Sequence, residues 1–189
     1  YAGTNGRDYH AVYVEASQST SNSGKSPAQA IPDLGKALSL ARNASWCKKR
    51  SFKGTSIPCD VYVSTRGAIS FAKLELVSGD HIYGGFDTSQ WTGSNWSPGA
   101  AKTTNRKTTK TELTVMGQSG VDGVSSFYGD GFRSEVVLDG LDVQAQDAPS
   151  AGGWSVGFWC KDCDDLSLRE VKFSAGNGRD GEDGADAVE

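Results

Sequence analysis

The densest set of groups able to do acid–base chemistry is Asp162, Asp164 and Asp165, with Arg169 and Lys172 close behind. Cleavage of a polysaccharide needs carboxylates and a basic group converging on one face. A solvated turn of the chain needs only the same short polar residues, and that plainer reading is favoured. His10 and His81 are the only histidines, so a Ser-His-Asp or Cys-His arrangement has little material. His81 lies in the alternating segment H-I-Y and reads as a partly buried structural histidine. No catalytic residue is assigned.

Four cysteines, Cys47, Cys59, Cys160 and Cys163, fall into two local pairs. Structural disulfides are the economical reading in a secreted chain. Closing the loop between Cys47 and Cys59 would contribute about 3 kcal/mol in the chain-entropy model. Free or redox-active thiols are the alternative. The spacing of Cys47 and Cys59 does not suit a zinc knuckle, and no helix start follows Cys160 as a thioredoxin-like motif requires.

Two further groups can bind rather than react. Asp180, Glu182, Asp183 and Asp186 interleave with Gly178, Gly181 and Gly184, and such dense oxygen ligands can hold Ca²⁺ or a partner. A flexible acidic loop is the plainer reading and is favoured. Trp91, Trp96, Trp154 and Trp159 can form a sugar-stacking platform, although tryptophan more often packs a core or a corner. Calcium is the single cofactor the residues suggest. Asn43-Ala44-Ser45 and Asn95-Trp96-Ser97 match the glycosylation acceptor pattern, which chance often produces.

Short strands must position these groups. Ala11–Val14, Val61–Val63, Leu74–Val77, His81–Tyr83, Leu113–Met116, Val136–Leu138, Leu141–Val143, Val156–Trp159, Leu166–Leu168 and Val171–Phe173 are apolar or alternating runs bounded by small polar residues. Leu74 to Tyr83 reads as strand, tight turn, strand, and Gly84-Gly85 admits backbone angles closed to other residues. One helix is expected over 26–44, capped by Ser26, with Ile31, Leu34, Leu38 and Ala41 on one stripe and Arg42 near its C-terminus. The spacing from Leu138 to Leu166, or from Leu141 to Val171, is that of one large coil, and stacked coils that bury one face against a neighbour make a solenoid.

The whole composition limits the partners. At 189 residues the chain fits one domain with a sizeable core. Its net charge of −4 and pI near 5.2 argue against nucleic acid. The basic segment 102–110 lacks interleaved aromatics, so it reads as a solvated loop. No apolar run approaches the ~18 residues of a membrane span. The chain begins at Tyr1 without a signal-like segment, and reads as a processed mature chain or an excised fragment.

The opening V-Y-V-E-A-S-Q-S-T-S-N-S-G-K-S-P-A-Q-A-I-P-D-L-G-K-A-L-S-L-A and the corner I-Y-G-G-F-D-T-S-Q-W resemble secreted, right-handed parallel β-helix proteins of bacteria, the pectin-lyase-like group. The resemblance runs from Val12 to about Gly184. It implies a mostly-β solenoid over 60–175, an N-terminal capping helix over 26–44, a Gly/Asp-rich tail over 176–189, and a secreted or cell-surface location. It is unspecific for activity, since this architecture hosts lyases, hydrolases, adhesins and spacers. The N-T-D, G-H-G and R-I-K signatures of the pectinolytic hydrolases are absent from the sequence. Such solenoids usually run for more coils, so the chain reads either as a fragment or as having a C-terminal end that something else covers. The expected function is that of a non-enzymatic structural or adhesive surface protein, self-associating into filaments through open solenoid ends. A fragment of a polysaccharide lyase or hydrolase, or a carbohydrate-binding module, is the alternative.

Overall fold

The computed structural model describes residues 11–47, 50–52, 55–86, 111–115 and 123–182, with backbone alone at 50–52, 55–57 and 111–115. Strand β1 (Ala11–Val14) comes first, followed by a polar loop, a 3-10 turn at Pro27–Gln29, and the helix α1 (Leu34–Asn43). A short antiparallel hairpin joins β2 (Arg50–Phe52) to β3 (Thr55–Ile57). Next come β4 (Asp60–Ser64), β5 (Ile69–Phe71), β6 (Leu74–Leu76) and β7 (His81–Phe86). The remaining strands are β8 (Thr111–Val115), β9 (Gly123–Asp130), β10 (Val136–Asp139), β11 (Leu141–Ala145), β12 (Trp154–Lys161), β13 (Leu166–Arg169) and β14 (Lys172–Ser174).

From β4 onward every third strand returns to the same sheet. The three larger sheets run β1-β4-β7-β10-β13, β5-β8-β11-β14 and β6-β9-β12, and all their neighbours are parallel. The protein is mostly β. In the last coils the register partner lies 30 residues further along the chain, as between Leu138 and Leu168 or Asp142 and Lys172. Leu138 therefore stacks on Leu168, not on Leu166 as the sequence spacing suggested.

In-register apolar rungs build the core. Val12, Val61, Ile82 and Leu138 follow one another across the five-stranded sheet and are all fully buried. Phe71 and Phe127 meet beneath the other two sheets, with ring centroids 5.4 Å apart. Short β-branched and aromatic runs suit such a wall, because alternate side chains enter the core.

The N-terminal end of the stack is sealed. Helix α1 buries Leu34, Ala37, Leu38 and Ala41 over it. The outer edge of β1 is also hydrogen-bonded: Tyr13 N donates to Gly24 O at 3.0 Å, Ile31 N to Tyr13 O at 2.9 Å, and Glu15 N to Ile31 O at 3.0 Å. Arg42 reaches from α1 to both carboxylate oxygens of Asp80 and donates to Glu75 O, the last at 2.8 Å. Cys47 and Cys59 are disulfide-bonded and buried, fixing the segment after α1 to the start of β4.

The helix is shorter than the 26–44 expected. Asp33, not Ser26, caps it, accepting from Lys36 N at 2.8 Å. Ser26 precedes the 3-10 turn, and Ile31 bridges to Val14 instead of joining the helical stripe. Leu74 to Tyr83 is strand, turn, strand as expected, and the turn is a corner between two sheets, since β6 pairs with β9 while β7 pairs with β4 and β10. Gly85 takes φ +81, and the register between β4 and β7 slips there by one residue. That left-handed angle is one that glycine adopts without steric cost.

Candidate functional site

Strand β9 carries Phe127-Tyr128 and its partner β12 carries Phe158-Trp159, in register. Phe127 and Phe158 turn inward and pack edge to face at 6.5 Å. Strand alternation then puts Tyr128 and Trp159 on the outer face. Their rings are stacked, 4.9 Å apart and within 2° of parallel. That separation is close to the strand spacing of about 4.8 Å, so the rings form a ladder. Lys73 Nζ sits 4.4 Å from the Tyr128 centroid, a cation–π contact. Glu75 lies beside Tyr128 in the register, and Lys161 beside Asp130. Trp159 is 40 % exposed. Flat apolar rings edged by charged hydrogen-bonding groups can stack on a sugar ring while holding its hydroxyls.

Of the tryptophans singled out from sequence, only part of the platform is here. Trp159 belongs to it, and Trp154 is exposed on the same strand with its indole over Gly123. Trp91 and Trp96 lie outside the described residues. Tyr128 and Lys73 escaped sequence reading, although V-S-S-F-Y in β9 and V-G-F-W in β12 carry the same inward Phe followed by an outward ring. The serines of β9 hid the strand.

The carboxylates Asp162, Asp164 and Asp165 are exposed in the corner between β12 and β13. Their backbone holds the coil below: Phe132 N donates to Asp162 O at 3.1 Å, and Val136 N to Asp165 O at 2.8 Å. The basic residues are engaged elsewhere. Arg169 is 3.7 Å from Glu135 and bonds Ser167, while Lys172 is 3.3 Å from Asp142. Cys160 and Cys163 are joined in a disulfide across this corner.

A second constellation lies on the outer side of the five-stranded sheet. Tyr13, Tyr62 and Tyr83 stack in register, with centroids 5.9 and 5.6 Å apart. Asp60 accepts from Tyr62 Oη at 3.3 Å, and its other oxygen lies 3.1 Å from His81 Nδ1. His81 Nε2 faces Glu135 O at 3.2 Å. Burial first, and the charge of Asp60 second, push the phenols of Tyr13 and Tyr62 far above the ordinary tyrosine value. With both ring nitrogens of His81 facing acceptors, the arrangement ties β4 to β7 and to the approach of β10. It presents no nitrogen to a substrate.

The Gly/Asp-rich stretch is ordered where it is described. Ala148 N donates to Asn177 O, Gly152 N to Asp180 O, and Arg179 N to Gly153 O, so this stretch lies along the loop between β11 and β12. Asp180 and Glu182 are exposed on it, and among the described residues no group of three carboxylate, histidine or cysteine side chains could hold a metal ion. Asp183 and Asp186, like His10 and the basic segment 102–110, lie outside the described residues. No helix among the described residues is long and apolar enough to cross a membrane. Compared with known proteins, the chain matches no family model, no curated protein and no solved structure.

Proposed function

We propose that this chain is a right-handed parallel β-helix serving as a non-enzymatic structural or adhesive protein at the outside of a bacterial cell. The return of every third strand to the same parallel sheet supports the solenoid, and parallel crossovers are right-handed in about 98 % of cases. Two disulfides fit an oxidising compartment. The observation that carries the functional reading is exposed apolar surface on β12 and β13: Trp154, Trp159 and Leu168 are 47, 40 and 47 % exposed. Such surface serves contact with another body rather than enclosure of a small substrate.

A second reading, a carbohydrate-binding module, is favoured by the Tyr128–Trp159 ladder with its flanking charges. One assay separates these from an enzyme. The disulfide-intact protein is incubated with acidic polysaccharides while chain length and tryptophan fluorescence are followed. Unchanged chain length is the expected result. Depolymerisation that Asp164→Ala or Asp165→Ala abolishes overturns the non-enzymatic reading. A fluorescence shift without turnover, removed by Trp159→Ala, makes the ladder a sugar-binding surface.

A further inference from the structure

One indole lies flat on the outside of the stack with its far face uncovered. Trp154 opens β12, and its register partner on β9 is Gly123. A Cβ at Gly123 would lie 2.2 Å from Cε2, 2.3 Å from Cδ2 and 2.7 Å from Nε1 of Trp154. Cδ2 and Cε2 are the ends of the bond that the two rings share, so the indole rests face-on over the glycine. Any side chain at position 123 would lift it. Val124 packs in the core, so its neighbour Gly123, and Trp154 with it, belong to the outer face. With one face on the backbone and the other free, Trp154 is 47 % exposed. The ladder differs, because Tyr128 has Lys73 over it on the β6 side and Trp159 stacked on the β12 side.

The open face of Trp154 does not depend on where the described chain stops. The indole leans back over β9, and the layer that follows β12 already runs beside it. Arg179 N donates to Gly153 O at 3.1 Å, and Gly152 N to Asp180 O at 2.8 Å. Further coils would extend the sheet alongside β12, not over its outer side. Around the indole nothing stands up from the backbone. Gly152 and Gly153 precede it, and in the next layer a Cβ at Gly181 would meet nothing within 4 Å. A rigid six-membered ring can therefore approach to van der Waals contact. Exposed Arg179, Asp180 and Glu182 on the adjoining backbone supply donors and acceptors for hydroxyls.

We propose that the free face of Trp154 binds a neutral, β-linked pyranose chain whose ring hydroxyls are all equatorial. The proposal rests on the carbohydrate-binding reading and names its ligand class and its seat. Such a sugar presents an unbroken face of C–H groups, which meets the negative face of an aromatic ring favourably. An axial hydroxyl would break that face and hold the sugar off. β-Linkage keeps successive rings extended, so the chain can run on over a convex surface. Two carboxylates against one guanidinium disfavour a chain of uronates.

Calorimetric titration of the full, disulfide-intact chain tests this with cellohexaose (neutral, β-linked), maltohexaose (neutral, α-linked) and hexagalacturonate (acidic, α-linked). Cellohexaose is expected to bind at least about tenfold tighter than the other two. Trp154→Ala weakens it at least about tenfold, while Trp159→Ala leaves it within about twofold. Gly123→Ala weakens it as well, by lifting an indole that is still present. Circular dichroism verifies that each variant is folded. Binding indifferent to Trp154→Ala overturns the proposal, and if Trp159→Ala removes that binding the carbohydrate-binding reading survives at the ladder. Affinity for maltohexaose or hexagalacturonate equal to that for cellohexaose overturns the ligand class. No heat of binding with any of the three overturns the proposal and the carbohydrate-binding reading together.

Discussion

Tyr13 and Tyr62 show how single side chains here depend on the stack. Each lies on the outer side of the sheet, yet they are 3 and 0 % exposed, with Asp60 nearby. Below pH 10, the ordinary tyrosine value, folded and unfolded chains both keep these protons, so the stabilising contribution is complete. Above it the unfolded chain releases them and the folded chain does not. Stability then falls as pH rises, by up to about 1.4 kcal/mol per pH unit for each ring. In an alkaline absorbance titration, Tyr13 and Tyr62 should ionise only as the fold is lost. Ionisation of these two rings before unfolding would show that burial does not hold the protons. Which tyrosines behave this way was not legible in the sequence. V-Y-V occurs at 12–14 and 61–63, but alternation says only that Tyr differs in side from Val, not that a cover lies over it.

Among the elements, position in the stack decides what the same residue type contributes. Leu138 is fully buried between rungs, and Leu168 is the next rung with 47 % exposure. Leu138→Ala should cost about 2–5 kcal/mol in urea unfolding, and Leu168→Ala less than about 1 kcal/mol. Equal costs would mean that the last coil is as enclosed as the one before it. The segment after β14 tests close approach instead. A Cβ at Gly176 would lie 2.4 Å from the backbone carbon of Gln146, a position no side chain can occupy without moving the chain. Gly176→Ala should therefore detach 176–182 from the loop below. Hydrogen exchange would read this as lost protection at the Ala148 and Gly152 amides, while β10 keeps its own. The sequence reading placed most of the later strands correctly because their apolar runs are short and bounded. It missed the hairpin strands β2 and β3, and it missed β5 and β9, whose serines interrupt the pattern; it extended α1 toward Ser26 because Pro27 and Pro32 both suit a helix start.

For the molecule as a whole, the two disulfides sit at opposite ends of the strand stack and constrain it unequally. Cys47–Cys59 bridges a sequence separation of 12 and is buried beside α1, whereas Cys160–Cys163 bridges 3 in an exposed corner. Replacing the first pair by alanine should lower stability by about 3 kcal/mol in the chain-entropy model, and the second by less, because the short loop has little freedom to lose. Thermal unfolding of the two double variants checks the order. The reverse order would mean that the C-terminal corner, not the helical end, anchors the stack.

What the sequence determined by itself was local: short strands, their turn residues, and the recurrence of similar segments near the C-terminus; the disulfide pairing it left open. Each of these local features follows from alternation or from glycine and proline at turns. Only the tertiary structure decided the rest. It made Leu74 to Tyr83 a corner between sheets, set Leu168 above Leu138, stacked Trp159 on Tyr128 and led Arg42 to Asp80. Parallel neighbours come from distant parts of the chain, so their register depends on the length of everything between them. That length includes loops whose path is set by packing rather than by any local preference.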